Sequence, residues 1–242
     1  MELPVSLNFP ATRWSLIGRL GDHPEATTIL LEIYFDSIER YLRYRFPDEV
    51  RTGELDDVVQ EVAVNLMERP ALLAGAKPGT GSRFRYLLMT VAYNAARNAL
   101  RTRRRRRSKD AHLPDADHGE ELSLSDLLED TQSDQVDSAM DRAWAESVLD
   151  QAWNDLRAWA GEGLLEPACI TILEHSLLQG LSVRDMAPLV ALSPATCQRR
   201  LARGRTFLQR AITDRLCQAG ELPPDADPVR ACDVLLDLLR RP

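Results

Sequence analysis

Residues 181–205 read LSVRDMAPLVALSPATCQRRLARGR, and this stretch sets an all-helical interpretation of the chain. Ser182, with Asp185 three residues on, forms a capping box, in which a serine hydroxyl and an acid satisfy the free amides of a helix start. The helix it opens should reach about Ala191. Pro188 lies inside it, where proline costs about 3 kcal/mol unless the helix kinks or starts late. After a short turn, Ser193 caps a second helix with Pro194 at its first position, where the missing N–H costs little. In this second helix, Ser193–Arg210, the residues Cys197, Leu201, Gly204 and Leu208 recur at core spacing. Thr196, Gln198, Arg199, Arg200 and Arg203 fall on the opposite side. Polar and cationic residues early in the second helix of such a pair are the layout of a helix-turn-helix that enters a DNA major groove.

Upstream, Trp144, Val148, Leu149, Ala152, Trp153 and Leu156 begin a helical bundle, and Ala168, Ile170, Ile172, Leu173, Leu177 and Leu178 continue it to Gly180. Three further amphipathic runs precede residue 108. In the first, Leu31, Tyr34, Phe35, Ile38, Tyr41 and Leu42 recur at helical spacing until Pro47. In the second, Leu55, Val59, Val62 and Leu66 make the apolar stripe, Pro70 is the stop, and Asp57, Gln60 and Glu61 share an adjoining face. The third buries Phe84, Leu87, Leu88, Val91 and Ala95 and presents Asn94, Arg97, Asn98, Arg101 and Arg105 on its other side. Amides can read base edges and guanidiniums can hold phosphates, so this side has the chemistry for DNA.

Charge is distributed unevenly. The net charge is −7, yet residues 101–107 hold six arginines in seven positions. Without interleaved acids they would repel unless a polyanion were present. The following stretch, 110–141, carries acids and no lysine or arginine, a composition that cannot offset its own ordering entropy. Between the second and third runs, residues 74–82 (AGAKPGTGS) are rich in turn formers. Two readings stay open there: a grip for an unstacked base, or a plain connector.

At 242 residues, with 44% hydrophobic and 28% charged positions, the chain can hold one large or two small domains, each able to bury its own core. Met1-Glu2-Leu3-Pro4 lacks the cationic opening and apolar core of a secretion signal, and no apolar run approaches a membrane span; a cytoplasmic protein is expected. Cys169, Cys197, Cys217 and Cys232 form no Cys-x-x-Cys pair and read as small core residues, and His23, His112, His118 and His175 are isolated. No metal, cofactor or catalytic group is expected: there is no nucleophile–base set and no phosphate loop of the glycine-lysine type.

Leu55-Asp56-Asp57-Val58-Val59-Gln60-Glu61-Val62 resembles the acidic helix of region 2 in bacterial sigma factors. Phe84-Arg85-Tyr86-Leu87-Leu88, followed by Val91-Ala92-Tyr93-Asn94 and Arg101, resembles the promoter-melting helix of that region. Residues 181–187 and 193–205 resemble region 4, and Phe9-Pro10-Ala11-Thr12-Arg13-Trp14-Ser15-Leu16 looks like the start of one subgroup of the extracytoplasmic-function (ECF) factors. Ala63 stands where the family usually has a large aromatic, Asn98 where an aspartate is frequent, and Ala191 at a turn position that tends to be glycine.

The resemblance implies an all-α chain of two helical domains joined by an acidic linker. A region 2-like three- or four-helix bundle would span 9–107, the linker 108–141 and a region 4-like domain 142–213, with an extension at 214–242. It implies that Asp56, Asp57, Gln60 and Glu61 dock on the β′ clamp helices of core RNA polymerase, and that Asn94, Arg97, Asn98, Arg101 and Arg105 face the −10 promoter element. Thr196, Gln198, Arg199, Arg200 and Arg203 would meet the −35 element, with the rear domain on the β flap. The linker would thread the RNA exit path, or simply keep the basic block soluble. In the extension, Val229, Cys232, Leu235, Leu236 and Leu239 form an apolar stripe, either packed on the rear domain or docking an anti-sigma factor or other regulator. The competing interpretation, a stand-alone helix-turn-helix regulator binding duplex DNA as a dimer, explains the rear domain but leaves the acidic helix and basic block idle.

Overall fold

The computed structural model describes residues 24–69, 73, 84–110, 134–219, 221–222 and 225–240, and among them every regular element is a helix. The start of the chain through His23, Pro70, the 74–82 turn formers, His112, His118 and Pro223-Pro224 lie outside the described residues, as does most of the acidic linker. The chain divides into two units, Met1–Trp144 with Leu238–Pro242, and Ala145–Asp237.

In the first unit, α1 (Pro24–Arg45) buries Leu30, Leu31, Tyr34, Ile38, Tyr41 and Leu42, while Phe35 is only half-buried. Pro47 acts twice: it halts α1, because the residue before proline avoids helical dihedrals, and it takes the first position of α2 (Pro47–Thr52). Gly53, at φ 73°, ends α2 in the left-handed region, where the absent Cβ removes the usual penalty. Helix α3 (Leu55–Glu68) buries Leu55, Val58, Val59, Val62 and Leu66, and α4 (Phe84–Asp110) packs on both α1 and α3. Tyr34 meets Phe84 edge-on at 5.8 Å and stacks on Trp144 at 4.9 Å, while Tyr93 of α4 stacks on Phe46 at 5.4 Å.

Helix α5 runs Asp134–Gly161, so it starts inside the stretch expected to be linker up to 141. The physical reason is local. Met140, Asp141, Ala143 and Trp144 are all buried, and this head of α5 belongs to the first unit. Apolar surface at 140–144 supplies the burial that the acidic composition upstream lacks.

In the second unit, α6 (Pro167–Leu177), α7 (Val183–Leu189) and α8 (Pro194–Gln218) pack on one another. Helix α8 crosses α6 at Gly204, where a Cβ would lie 3.0 Å from the carbonyl oxygen of Cys169. A helix interior normally disfavours glycine by about 1 kcal/mol, so close backbone approach is what the residue provides here. Trp159 of α5 meets Phe207 of α8 edge-on at 5.6 Å, and the Arg215 Nε–H donates to Asp155 Oδ2 at 2.8 Å. The final helix, α9 (Pro228–Arg240), buries Ala231, Leu235 and Leu238. Its stripe is rotated from the expected one: Val229 and Leu236 are exposed.

Candidate docking and nucleic-acid surfaces

The four polar residues of α3 singled out above, Asp56, Asp57, Gln60 and Glu61, are all exposed, opposite the stripe that α3 buries. They do not stand alone. Arg43 of α1 reaches Asp56 at 2.8 Å and also holds Glu39 of its own helix at 2.7 Å. Glu39 in turn stabilises the charged form of Arg43, raising its pKa. Arg103 of α4 spans Asp57 at 3.5 Å and Glu61 at 3.1 Å. Arg104 pairs with Glu49 of α2, and Arg107 with Glu54 between α2 and α3.

The arginine run is therefore not a bare cationic tail: Arg103, Arg104 and Arg107 lie along the acidic edge of α2 and α3. Arg101, Arg105 and Arg106 are exposed and form no ion pair among the described residues. Of the five residues expected on the outward side of α4, Arg97, Arg101 and Arg105 are exposed and Asn98 is half-buried. Asn94 is not on that side, being 1% exposed. Asn94 shares a helical stripe with Arg97 and Arg101, but no residue in the first three turns of α4 is exposed, Thr90 and Asn94 are buried, and the stripe emerges only after Asn94. Leu87 and Ala95, expected in the core, are half-buried, and Arg85, Met89, Ala92, Ala96 and Ala99 are buried.

At the start of α4 lies a pair that the sequence does not announce. Arg85 and Asp141 are both 0% exposed and paired, with the Arg85 Nε–H donating to Asp141 Oδ1 at 3.1 Å. The Tyr86 hydroxyl donates to the same oxygen at 2.9 Å, and the guanidinium lies 5.0 Å from the Tyr86 ring centre. Burial, above all, pushes the Tyr86 phenol pKa up. A buried ion pair needs such extra bonds to offset its desolvation.

In the second unit both capping serines perform as the sequence requires. The Ser182 hydroxyl accepts from the Asp185 amide at 3.4 Å and donates to its carboxylate at 2.6 Å, and Ser193 accepts from the Thr196 amide at 3.2 Å. Pro188 sits in the last turn of α7, which closes immediately after it. The Leu192 N–H bonds Ala187 O at 3.0 Å and the Ala191 N–H bonds Pro188 O at 3.3 Å. Together these bonds form a Schellman closure that leaves Ala191 at φ 51°, in the place glycine would take.

Along α8, Gln198 and Arg199 are exposed, whereas Thr196 is half-buried beneath its cap. Arg200 and Arg203 turn toward Glu166, at 2.7 and 3.7 Å, and Arg203 also donates to the carbonyl of Leu164 at 3.1 Å. Exposed Arg205, within Hbond reach of Ser176 Oγ at 3.5 Å, lies outward as well. It follows Gln198 by seven positions, a spacing that could have identified it. Cys169 and Cys197 are buried, and burial raises the Cys169 thiol pKa. Among the described residues no acid, histidine and cysteine cluster suits a metal ion, and no helix is long and apolar enough to cross a membrane.

No curated protein matches the sequence. A family model described as ECF sigma factor matches residues 15–214, taking in the acidic helix, the basic helix and the helix-turn-helix. The chain belongs to the ECF sigma factor family, a class of transcription initiation factors.

Proposed function

We propose that this sigma factor docks on core RNA polymerase through Asp56, Asp57, Gln60 and Glu61 of α3, engaging the β′ clamp helices. Arg97, Asn98, Arg101 and Arg105 of α4 then meet the −10 element. Thr196, Gln198, Arg199, Arg200 and Arg203 of α8 meet the −35 element, and the second unit rests on the β flap. The observation that carries this reading is the outward acidic and amide side of α3, set against the basic second half of α4. An exposed carboxylate row suits a cationic protein surface, and guanidiniums that face solvent suit phosphates. Asn94 is left out of the DNA set because it is buried.

Pull-down of core polymerase tests the assignment. Asp57→Arg and Gln60→Ala should each weaken capture while leaving helical content unchanged. Undiminished capture by both variants would remove the docking role of α3. The same preparation separates a sigma factor from a dimeric regulator: the former binds promoter DNA well only with core polymerase, whereas the latter binds a palindrome unaided.

A further inference from the structure

We propose that Arg103 is a built-in competitor for the docking face: its guanidinium occupies the carboxylates of Asp57 and Glu61, which an incoming cationic partner must take. This rests on the docking role given above to α3. The geometry is specific. Nη1 of Arg103 lies 3.5 Å from Asp57 Oδ2, and Nη2 lies 3.1 Å from Glu61 Oε2. One side chain from α4 thus bridges two acids a helical turn apart, with Gln60 exposed beside them.

The Arg103 side chain is 28% exposed, against 79% for Asp57 and 46% for Glu61. The carboxylates remain open to a partner, while the arginine lies against them. Arg43 holds Asp56 in the same manner, so three of the four docking residues carry an intramolecular cation and Gln60 alone has no charge to neutralise. A fixed positive charge about 3 Å from an acceptor lowers the attraction of that acceptor for a second cation. Arg103 adds selectivity by the same route, because only a partner whose cations fit both acids recovers what the bridge loses.

The competition has a sign that a merely stabilising ion pair would not give: removing Arg103 should strengthen docking. Exposed pairs are individually weak, so loss of the two-acid bridge should tighten binding roughly three- to tenfold, equivalent to about 0.7–1.4 kcal/mol. The gain should shrink as salt rises, since exposed charges are screened.

The 242-residue chain titrated with core RNA polymerase, at low and high salt, provides the test. Arg103→Gln should bind more tightly than the parent, and Arg103→Met, which keeps the aliphatic stem, should behave alike. Arg106→Gln removes the same charge from the same helix at an exposed position that pairs with no acid among the described residues, and it should leave the affinity nearly unchanged. Equal or weaker binding by both Arg103 variants, with helicity intact, overturns the competition. An equal gain from Arg106→Gln also overturns it, because net charge would then explain the effect. If the parent itself fails to bind core polymerase, the docking role of α3 falls and the competitor with it; a parent that binds while both Arg103 variants gain nothing removes the competitor alone.

Discussion

The two units position their arginine-rich helices, α4 and α8, by different means. In the first, cations of α1 and α4 are matched by carboxylates on or between other helices: Arg43 with Asp56, Arg103 with Asp57 and Glu61, Arg104 with Glu49, and Arg107 with Glu54. One pair, Arg85 with Asp141, is drawn completely inside. In the second, α8 is placed chiefly by its cap and close backbone contact, through Ser193, Gly204 and the Ala191 turn, with ion pairs from Arg200 and Arg203 to Glu166 and from Arg215 to Asp155 added. The difference teaches where stability and binding part company. Exposed ion pairs contribute little to folding, so those of the first unit chiefly shape the proposed docking surface. The buried Arg85–Asp141 pair and the second unit's backbone fit are where substitution should cost most.

Substitutions at three places would break or sharpen this contrast. Asp141→Ala should be the most damaging, since it strands a buried guanidinium; a loss of about 3–5 kcal/mol is expected in denaturant unfolding. Replacing both partners, as in Arg85→Met with Asp141→Leu, should recover most of that loss, and failure to do so would mean that shape rather than charge governs the site. Gly204→Val comes next. Its Cβ would press on the Cys169 carbonyl, and overpacking of this kind costs about 1–3 kcal/mol, readable as a lowered Tm. Ala191→Gly is the smallest and has the opposite sign. Relief of the left-handed strain exceeds the entropy that glycine loses on folding, so a gain of about 0.5–1 kcal/mol is expected in the same melting experiment.

The helices were legible because periodicity and caps are local. Val59, Val62 and Leu66 marked the inner side of α3, Pro47 marked a boundary, and Ser182 and Ser193 fixed two helix starts to the residue. The cover over each face was not legible. Asn94 lies on the stripe of Arg97, yet neighbouring elements enclose the first part of α4 and leave the second part open. Asp141 was one acid in an acidic run, and nothing local sets it apart; its partner lies 56 positions earlier. The pairing of Arg103 with Glu61 spans 42 positions, so the basic run gave the appearance of unneutralised charge. For the same reason the pattern places Arg200 and Arg203 on the outer side of α8 without revealing Glu166, which is close by in space. Local pattern reveals which residues can share a face, whereas burial and charge balance depend on chain segments far apart in the sequence.

The Arg85–Asp141 pair joins residues on opposite sides of the acidic segment, both within the first unit. A protease that nicks the chain anywhere from 111 to 133 would therefore sever the covalent connection without freeing its downstream piece. Asp141 and Trp144 would stay seated against Arg85 and Tyr34, and the two fragments would travel together until a denaturant parted them.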